Sequence, residues 1–324
     1  MAALARSVLR YSARHEAAAS DSFADHVISG FGENPRWLSA KYFYDAVGSE
    51  LFEEITRLPE YYPTRTELKI LNDHAREMSA LIPLAAALVE FGTGSTKKAR
   101  ILLDAAPQIS AYVPVDISAE FLAEEAAAVR RDLPNLSVLP VAADFTRDFE
   151  LPAQIRNRPR VGFFPGSTIG NFEPQDAAEF LRQAGHVLGA GATMIVGVDR
   201  IKDETVLNAA YDDAAGVTAK FNLNVLTRMN RELGGNFDLA AFRHRAFYNA
   251  ADRRIEMHLE SLKPQTVTVA GRTFEFRKGE TIHTESSYKY TVESFRALAT
   301  SAGWRPVAVW TDERDYFAVH ALKI

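Results

Sequence analysis

The sequence predicts an α/β fold, built on a doubly wound and mostly parallel sheet, that carries a second α+β domain. Between Leu84 and Val198, short apolar runs alternate with segments whose apolar residues recur at helical spacing, which is the pattern of βαβ units. Parallel strands joined by crossover helices form a sheet covered on both faces. The candidate strands are Ala87–Phe91, Ala111–Asp116, Ser137–Val141, Val161–Phe164 and Thr193–Val198.

The chain changes character after Asp199, where one long helical pattern over residues 203–232 replaces the alternation. A helix and two strands then close the chain, which indicates that the sheet domain resumes after an insertion. We therefore expect a core of residues 66–199 plus 289–324, and a second domain of residues 1–65 plus 200–288. The strand-like segments of the insertion are Phe242–Asn249, Arg254–Leu262 and Thr266–Phe276, and the closing elements are Val292–Ala302, Val307–Trp310 and Tyr316–Leu322.

The composition excludes several classes of protein. The chain has 37 lysine and arginine residues against 42 aspartate and glutamate residues, so its net charge of -5 gives no general attraction for nucleic acid or anionic lipid. The absence of cysteine excludes disulfides, thiolate zinc sites, iron–sulfur clusters and a cysteine nucleophile. No apolar run approaches the roughly 18 residues of a membrane span. We expect a cytoplasmic monomer that acts on a small molecule.

The first twenty residues are rich in alanine, arginine and serine, with a single acid at Glu16, as in a transit peptide. They also fit an amphipathic surface helix with Val8, Leu9 and Tyr11 among polar residues, and this is the interpretation we favour. The long apolar segment of a secretion signal is missing.

A glycine turn, Gly92-Thr93-Gly94, follows the first candidate strand and precedes a helical segment. In α/β sheets such a turn lets a ligand approach the backbone. Lys97 stands where a dinucleotide-binding fingerprint has its third glycine, and the Gly-Lys-Ser/Thr ending of a P-loop is missing too. Glu90, just before the turn, repels pyrophosphate and suits a cationic or hydroxyl-bearing ligand.

Acidic residues follow the next two strands. Asp116 ends the second strand, where ribose hydroxyls are usually held. Asp144 and Phe145 follow the third strand, where an amide edge and a ring can clamp a base. Taken singly, Glu90 or Asp116 is explained as well by a helix cap or a solvated carboxylate as by contact with a ligand. The ordered set of Glu90, Asp116 and Asp144-Phe145 is moderately specific for S-adenosylmethionine.

Three polar residues further along are ambiguous from their spacing. Asn171 lies in the loop Gly166–Phe172 after the fourth strand and offers both an acceptor and donors, but an ordinary turn asparagine explains it better. Tyr211 and Thr218 fall on one apolar stripe of the helix expected over residues 203–232. A buried tyrosine with a satisfied hydroxyl is the preferred interpretation there.

A polar row lies near the return to the core, because strand alternation places His283, Glu285 and Ser287 on one face. His283-x-Glu285 is similar to part of a zinc deaminase motif, but without cysteines the remaining ligands cannot exist. The eight histidines include no His-x-x-x-His pair, and we expect no metal site. We favour a solvated edge strand for this segment. A general acid–base dyad of His283 and Glu285 is the alternative.

Longer motifs run in order along the chain from Lys41 to the C-terminus. They are Lys41–Glu50, Leu58–Glu67, Glu90–Arg100, Gly166–Asn171, Tyr211–Thr218, Asn230–Leu233, Arg254–Met257 and Thr284–Ser287. These motifs resemble the ergothioneine-pathway L-histidine Nα-methyltransferases, which use S-adenosylmethionine. The resemblance implies a Rossmann-like class I methyltransferase core and a second domain that binds substrate. It also implies three successive methylations of L-histidine to the trimethylated betaine hercynine, the first step of ergothioneine biosynthesis.

The resemblance also implies which residues bind the two ligands. The cofactor-binding residues would be Gly92, Lys98, Asp116, Asp144 and Phe145. The substrate-binding residues would be Tyr44, Tyr61, Asn171, Tyr211, Thr218, Met257, Glu285 and Ser287. Among them, the expected catalytic residues are Tyr61, Asn171 and Tyr211.

Within that substrate set, Asn171 and Tyr211 would hold the amino-acid end of histidine with help from Thr218. The imidazole would be addressed by Tyr61, Glu285 and Ser287. Tyr44 would act through water, and Met257 would line the pocket. The chain departs from the family pattern at Lys97, Pro165 and Ser286, without losing any of these contacts.

Other functions remain open at this point. A related methyltransferase could act on another amino acid or a small amine, and a protein of the same fold could bind the cofactor without catalysis. A nicotinamide-dependent oxidoreductase is disfavoured by the missing third glycine. A nucleic-acid methyltransferase is disfavoured by the acidic charge and the lack of a basic cluster.

Overall fold

The structure of the protein, a computed structural model, describes residues 22–324, so the helix or transit segment expected over residues 1–20 lies outside the described part. The described residues divide into two units. The smaller contains the residues up to Tyr61, Glu204–Ala250 and Ile255–Ser286, and the larger contains Tyr62–Asp203, Ala251–Arg254 and Ser287–Ile324. The boundaries expected after residues 65, 199 and 288 fall within a few residues of these, whereas the short excursion at Ala251–Arg254 was not expected.

The first part of the smaller unit contains helix α1 (Phe23–Gly32), strand β1 (Arg36–Trp37), a 3-10 turn (Ala40–Phe43) and helix α2 (Ala46–Ile55). Helix α2 begins after Asp45, whose Oδ1 accepts the N–H of Gly48 at 2.8 Å. A carboxylate in this position satisfies one of the free N–H groups of the first turn.

The larger unit then forms alternating helices and strands. They are α3 (Tyr62–Ser79), β2 (Ala86–Phe91), α4 (Lys97–Ala105), β3 (Ile109–Asp116), α5 (Ala119–Asp132), β4 (Ser137–Val138), β5 (Val141–Ala142), β6 (Arg160–Phe164), α6 (Pro174–Leu188) and β7 (Thr193–Asp199). The strand expected over Ser137–Val141 is thus two short pieces, and both pair with β3.

The chain returns to the smaller unit for two helices and a set of strands. They are α7 (Glu204–Tyr211), α8 (Val217–Glu232), β8 (Phe242–Asn249), β9 (Arg254–Ser261), β10 (Gln265–Val269), β11 (Arg272–Phe276) and β12 (Thr281–Tyr288). Strands β1, β12, β9 and β8 form one sheet in that order, and β10 and β11 form a separate antiparallel pair. The single segment expected over Thr266–Phe276 is therefore a hairpin, with Ala270 and Gly271 at positive φ in its turn.

The single helix expected over residues 203–232 is wrong, because the chain breaks between α7 and α8. The carboxylate of Asp213 accepts the N–H groups of Val217 at 2.9 Å and Thr218 at 2.7 Å, which starts a new helix. Gly216 supplies the left-handed conformation just before it, with φ of 69°. Tyr211 and Thr218 therefore lie on different helices and share no stripe.

The larger unit closes with helix α9 (Val292–Ser301) and strands β13 (Arg305–Thr311) and β14 (Phe317–Lys323). Its eight-stranded sheet has the order β13-β14-β7-β6-β2-β3-β4, and β5 also pairs with β3. Strand β14 is antiparallel to both neighbours, and the pairs from β7 to β5 are parallel. The predicted doubly wound, mostly parallel sheet is confirmed. Helices on both faces explain why β2 and β7 are buried at every position.

Candidate active site

The predicted cofactor residues gather at one edge of the large sheet. Strands β2, β3, β5 and β6 are parallel neighbours, so their carboxyl ends meet at the same edge. The register pairs Phe91 with Val115, and Asp116 with Ala142. The residues that follow these strands are consequently close in space. Ligands of open α/β sheets bind at this edge, where the strand order reverses.

Gly92 and Phe145 lie in contact at this edge. Gly92 has φ of 73°, and a Cβ at this position would lie 3.1 Å from Cε1 of Phe145. The N–H of Gly92 donates to the carbonyl of Val115 at 2.9 Å, which holds the turn against β3. The Phe145 ring packs on Phe164 and Phe180, with centroids 5.7 Å and 5.8 Å away. The glycine turn therefore has an aromatic wall fixed by the core.

The two predicted aspartates each close a local turn. Asp116 accepts the N–H of Ser118 at 3.0 Å, and burial raises the pKa of its carboxyl although nearby backbone N–H groups oppose this. Asp144 accepts both the N–H and the hydroxyl of Thr146, at 3.0 Å and 2.6 Å. These turns fix where each carboxylate stands along the edge.

Lys98 forms an ion pair with Glu67, a residue that sequence reasoning did not single out. The Nζ of Lys98 lies 2.6 Å from Oε2 of Glu67, whose side chain is 1% exposed. Both carboxylate oxygens also lie 2.9 Å from the N of Gly166. Glu67 thus connects α3, α4 and the loop after β6. Glu67 ends the Leu58–Glu67 motif, and this was the sequence signal that could have identified it. Direct contact of Lys98 with the cofactor stays a prediction.

Asn171 ends a 3-10 turn (Thr168–Asn171) in the loop after β6. The loop is held in place on both sides. The Oγ of Ser167 accepts the N–H of Asp199 at 2.8 Å, and a Cβ on Gly170 would lie only 2.7 Å from the carbonyl oxygen of Tyr288. The half-buried Asn171 is therefore carried by a rigid loop at the carboxyl end of β6.

Glu90 points into the interior of the larger unit. Its carboxylate accepts a hydrogen bond from the hydroxyl of Tyr112 on the adjacent strand β3. Burial raises the pKa of Glu90 to about 7, although Tyr112 and the charge of Lys98 act in the opposite direction. Sequence pattern alone could not distinguish this interior group from a ligand-facing carboxylate.

Three predicted tyrosines share one aromatic cluster in the smaller unit. The rings of Tyr61 and Tyr211 lie 6.2 Å apart, and Phe52 lies 6.2 Å from Tyr61 and 5.6 Å from Tyr44. Phe221 of α8 contacts both Phe52 and Tyr44, at 6.0 Å and 5.8 Å. Tyr61 and Tyr211 are buried, whereas Tyr44 is 43% exposed. Tyr61 and Tyr211 thus form the buried part of the cluster, and Tyr44 lies at its exposed edge.

Met257, Thr218 and Glu285 occupy other parts of the smaller unit. Met257 is buried in β9, and its carbonyl oxygen lies 3.0 Å from the hydroxyl of Thr284, the residue before Glu285. The same hydroxyl lies 2.9 Å from Oδ1 of the buried Asn222. Thr218 is buried in the first turn of α8. The strand that carries Glu285 is thus fixed to β9 and α8.

Strand β12 carries His283, Glu285 and Ser287 at alternate positions, as predicted. It lies between β1 and β9, so the expectation of a solvated edge strand is wrong. The Nε2 of His283 lies 2.9 Å from the carbonyl oxygen of Glu285 and 3.2 Å from Oγ of Ser286. His283 therefore contacts the backbone of Glu285, and the acid–base dyad of these two side chains stays a prediction. Glu285 belongs to the smaller unit and Ser287 to the larger.

Glu256, His258 and His283 offer possible metal-ligand atoms within 4.8 Å of one another. Nε2 of His258 lies 3.0 Å from Oε2 of Glu256, and its ring stacks on that of His283 at 4.7 Å and 16°. Lone pairs of nearly parallel rings lie in separate planes, so both rings cannot point at one ion without rotation. The three residues come from two strands, β9 and β12, so a search for paired histidines along the sequence does not detect the group.

A buried charge cluster surrounds Asp199 at the carboxyl end of β7. Nζ of Lys202 lies 2.6 Å from Oδ1, and Nζ of Lys289 lies 2.7 Å from Oδ2. The hydroxyl of Tyr62 donates to the same carboxylate at 2.8 Å. Burial alone would raise the pKa of Asp199, but the two ammonium charges outweigh it and hold the pKa below its usual value. Sequence reasoning missed this cluster.

No helix within residues 22–324 combines the length and the apolar character that crossing a membrane requires.

Comparison with known proteins gives consistent matches over almost the whole chain. The family model described as histidine-specific methyltransferase, SAM-dependent, matches residues 23–324. A histidine N-alpha-methyltransferase of Mycolicibacterium smegmatis is 42% identical over 307 residues, which cover 93% of this chain and 94% of the relative. The protein of the same name in Mycobacterium tuberculosis is 42% identical over 299 residues, covering 90% and 92%. Ergothioneine biosynthesis protein 1 of Neurospora crassa is 33% identical over 303 residues, covering 88% of this chain and 33% of that protein.

Proposed function

The chain belongs to the histidine-specific, S-adenosylmethionine-dependent methyltransferases, and we propose on that basis that it methylates the α-amino nitrogen of L-histidine three times in succession. The product is Nα,Nα,Nα-trimethylhistidine (hercynine), and the reaction is the first step of ergothioneine biosynthesis. The observation that carries this proposal is the 42% identity to two histidine N-alpha-methyltransferases over at least nine-tenths of each chain.

Five residues of the larger unit would bind S-adenosylmethionine, namely Gly92, Lys98, Asp116, Asp144 and Phe145. The edge on which they lie fits such a ligand, because a glycine turn, two fixed carboxyl groups and an aromatic wall meet there. A carboxylate at the end of the second parallel strand is the usual partner of ribose hydroxyls. The cofactor supplies an electrophilic methyl group on a positively charged sulfur.

Histidine would be bound at both of its ends. Asn171 and Tyr211 hold the amino-acid end, with Thr218 beside them, and Asn171 offers both donor and acceptor atoms for an amino acid. Glu285 and Ser287 bind the imidazole. They project from the same face of β12 at a Cα spacing of roughly 7 Å, so a long and a short side chain can reach the same ring.

Three further side chains complete the proposed substrate site. Tyr61 packs against Tyr211 in the aromatic cluster and faces the imidazole, whereas the more exposed Tyr44 acts through water. Met257 supplies apolar lining from β9. Each transfer leaves one positive charge on the nitrogen, which tyrosine faces tolerate. After the first and the second transfer the nitrogen loses a proton, which restores the lone pair for the next displacement.

The reaction is an in-line displacement by a neutral amine, so the protein mainly aligns the nitrogen with the methyl group. An α-amino group with a pKa near ~8 is partly deprotonated at neutral pH, and a strong base is not required. Tyr61, Asn171 and Tyr211 act as catalytic residues by this alignment. After the third transfer the nitrogen has no lone pair, and the reaction stops. A small zwitterionic substrate suits a cytoplasmic monomer of net charge -5.

The test is incubation of the full chain with S-adenosylmethionine and L-histidine, followed by mass spectrometry for one, two and three added methyl groups. We expect the trimethylated product to accumulate. Nα-acetylhistidine is the control, since its blocked nitrogen should accept no methyl group. The absence of trimethylated histidine at every enzyme concentration would refute the proposal.

Two further measurements separate the alternatives. S-adenosylhomocysteine should raise the melting temperature, whereas a rise with NAD(H) alone would indicate an oxidoreductase. A panel of other amino acids and small amines should give far less product than histidine, because a ligand lacking imidazole leaves polar groups of the site unpaired.

A further inference from the structure

His244 on β8 connects the end of α7 to α8, because both of its ring nitrogens make a hydrogen bond. Its Nε2 lies 2.8 Å from the carbonyl oxygen of Tyr211, the last residue of α7. Its Nδ1 lies 2.9 Å from Nδ2 of Asn222 on α8, a residue that is 0% exposed. All three residues belong to the smaller unit. A single imidazole therefore links two helices of that unit.

The carbonyl of Tyr211 is available for this contact because the helix ends there. The last four carbonyl groups of a helix have no partner within it. Helix α7 stops at Tyr211, and α8 starts only at Val217. The imidazole of His244 satisfies one of these carbonyl groups and holds the last turn of α7, which carries the Tyr211 side chain.

The proton positions along these contacts follow from one carbonyl group. The carbonyl oxygen of His258 lies 3.1 Å from the same Nδ2 of Asn222, and a carbonyl can only accept. The amide nitrogen of Asn222 therefore faces His258 and His244, and its two hydrogens serve both. Nδ1 of His244 must accept, so a neutral ring carries its proton on Nε2 and donates it to Tyr211. Oδ1 of Asn222 accepts from the hydroxyl of Thr284 at 2.9 Å.

The surroundings of His244 favour the neutral ring. Burial lowers the pKa of His244, and the nearby His258 acts in the same direction. The carbonyl of Tyr211 and the carboxylates of Asp212 and Asp213 act in the opposite direction without outweighing burial. Nδ1 already accepts from a donor, so a second proton would meet that donor with another hydrogen.

We propose that His244 is a positioning residue that holds Tyr211 in place for the amino-acid end of histidine, and that Asn222 keeps His244 in the tautomer that this requires. The inference rests on the proposed function, in which Tyr211 binds that end of the substrate. Without the hydrogen bond at the helix end, Tyr211 occupies its binding position for a smaller fraction of the time, and the apparent affinity falls by that fraction. One lost hydrogen bond to a buried group should reduce the fraction roughly tenfold.

The decisive test compares two amides at the position of His244. In His244→Gln the terminal amide reaches the place of Nε2 and still donates to the carbonyl of Tyr211. In His244→Asn the shorter amide reaches only the place of Nδ1, so it keeps the contact with Asn222 and loses the other. The kcat/KM for histidine should fall roughly tenfold in His244→Asn and stay within about threefold in His244→Gln. Equal losses in the two variants would overturn the inference.

A double-mutant cycle shows whether the loss passes through Tyr211. Tyr211→Phe removes the hydroxyl by which this side chain would bind the substrate. In that background His244→Asn should reduce kcat/KM by less than about twofold, because displacing a ring without a polar contact costs little. A further tenfold loss in the double variant would show that His244 acts elsewhere and would contradict the proposal.

Asn222→Ala tests the second part of the proposal. Nδ1 of His244 then lacks its donor and the ring is free to turn, so kcat/KM for histidine should fall roughly fivefold. Asn230→Ala is the matched control, since Asn230 lies on the same helix and its amide binds the N–H and the carbonyl of Phe237, at 2.8 Å and 2.9 Å. It should lower the melting temperature and leave kcat/KM unchanged. The same kcat/KM in both variants would argue against the role of Asn222.

The affinity for S-adenosylhomocysteine separates a local effect from a general loss of structure. The residues proposed to bind this ligand belong to the larger unit, so calorimetry should give the same affinity for the unaltered enzyme and for both His244 variants. A tenfold loss of this affinity in His244→Asn would refute the positioning role. No methylated histidine from the unaltered enzyme refutes the proposed function, whereas full activity of His244→Asn refutes this inference alone.

A measurement on the unaltered enzyme covers the case in which the variants do not fold. With ¹⁵N in the histidine rings, NMR should find one of the eight imidazoles with its N–H close to the backbone of Tyr211. That N–H should belong to Nε2, with Nδ1 unprotonated at neutral pH. A proton on Nδ1 of this ring would overturn the inference, because Asn222 could not then donate to it.

Discussion

The Gly92 turn and the Phe145 ring are packed so closely that a Cβ on Gly92 would lie 3.1 Å from the ring. Gly92 also has φ of 73°, a conformation that side chains of L-residues rarely adopt. Phe145 cannot retreat easily, because Phe164 and Phe180 pack behind it. This one relationship shapes the glycine turn at the edge where we propose that the cofactor binds.

In Gly92→Ala we expect the turn to relax away from the left-handed conformation. Restoring that conformation on binding costs roughly 1–2 kcal/mol, so the affinity for S-adenosylhomocysteine should fall by about tenfold. Isothermal titration calorimetry measures this loss. Gly94→Ala is the matched control, because nothing lies within 4 Å of its added Cβ. Equal losses for the two variants would contradict the role given to the Gly92 turn.

The ion pair of Lys98 and Glu67 should matter for stability. Lys98→Met leaves a buried carboxylate without its cation, and breaking such a pair typically costs about 3–5 kcal/mol. Urea unfolding should show a loss toward the lower end of this range, because Lys98 is partly exposed. Adding Glu67→Gln should restore part of the loss, since the amide is neutral and its oxygen can still accept from Gly166. A double variant no more stable than Lys98→Met would argue against the pairing.

Glu285→Ala should remove an acceptor for the imidazole N–H. A hydrogen bond to a charged group contributes about 1.5–3 kcal/mol, so kcat/KM for histidine should fall on the order of 100-fold. Steady-state kinetics with histidine test this. Ser286→Ala, at the neighbouring position whose hydroxyl contacts His283, should keep nearly full activity. Full activity of Glu285→Ala toward histidine would contradict the role given to Glu285 in binding the imidazole.

Glu90 makes stability depend on pH. Burial raises the pKa of its carboxyl from an ordinary value of 4.5 to about 7 in the folded protein. As pH rises through this window, the unfolded chain releases the proton first, and ionisation increasingly favours unfolding. Glu90→Gln cannot ionise and keeps an acceptor for Tyr112. It should be more stable than the unaltered protein at pH 8 by up to ~3 kcal/mol, and nearly equal at pH 4.5.

Denaturant unfolding at those two pH values compares the two proteins directly. The prediction fails if the stability difference is the same at both, because a difference independent of pH would reflect packing of the amide and not the ionisation of Glu90.

The large sheet could be predicted from local patterns of apolar residues. Strands β2 and β7 are short apolar runs buried along their whole length, and such runs between helical segments leave few topologies. The same patterns did not predict the break between α7 and α8, because the helical periodicity continues across it. The chain breaks there because Asp213 accepts the N–H groups of Val217 and Thr218 and starts a new helix.

The candidate site was predictable only where a motif was continuous in sequence. Gly92 follows a strand and Asp116 ends one, so the strand pattern predicts where both lie. Tyr211 and Glu285 were assigned through the family resemblance alone. Neither source pointed to Lys289, because its partner Asp199 ends a strand in a different part of the chain. Likewise, the stacking of His258 on His283 joins two strands and leaves no trace in residue spacing.

The pairing of β1 with β12 has a consequence for the synthesis of the chain. Arg36 binds Glu280, a residue 244 positions later, and Trp37 lies opposite His283. The smaller unit therefore cannot complete its sheet until β12 has left the ribosome. The larger unit cannot complete its sheet until β14 has been made, because β14 lies between β13 and β7. Contacts between such distant segments slow folding and leave strand edges open meanwhile. Chaperones that cover nascent strands should thus assist this protein late in translation.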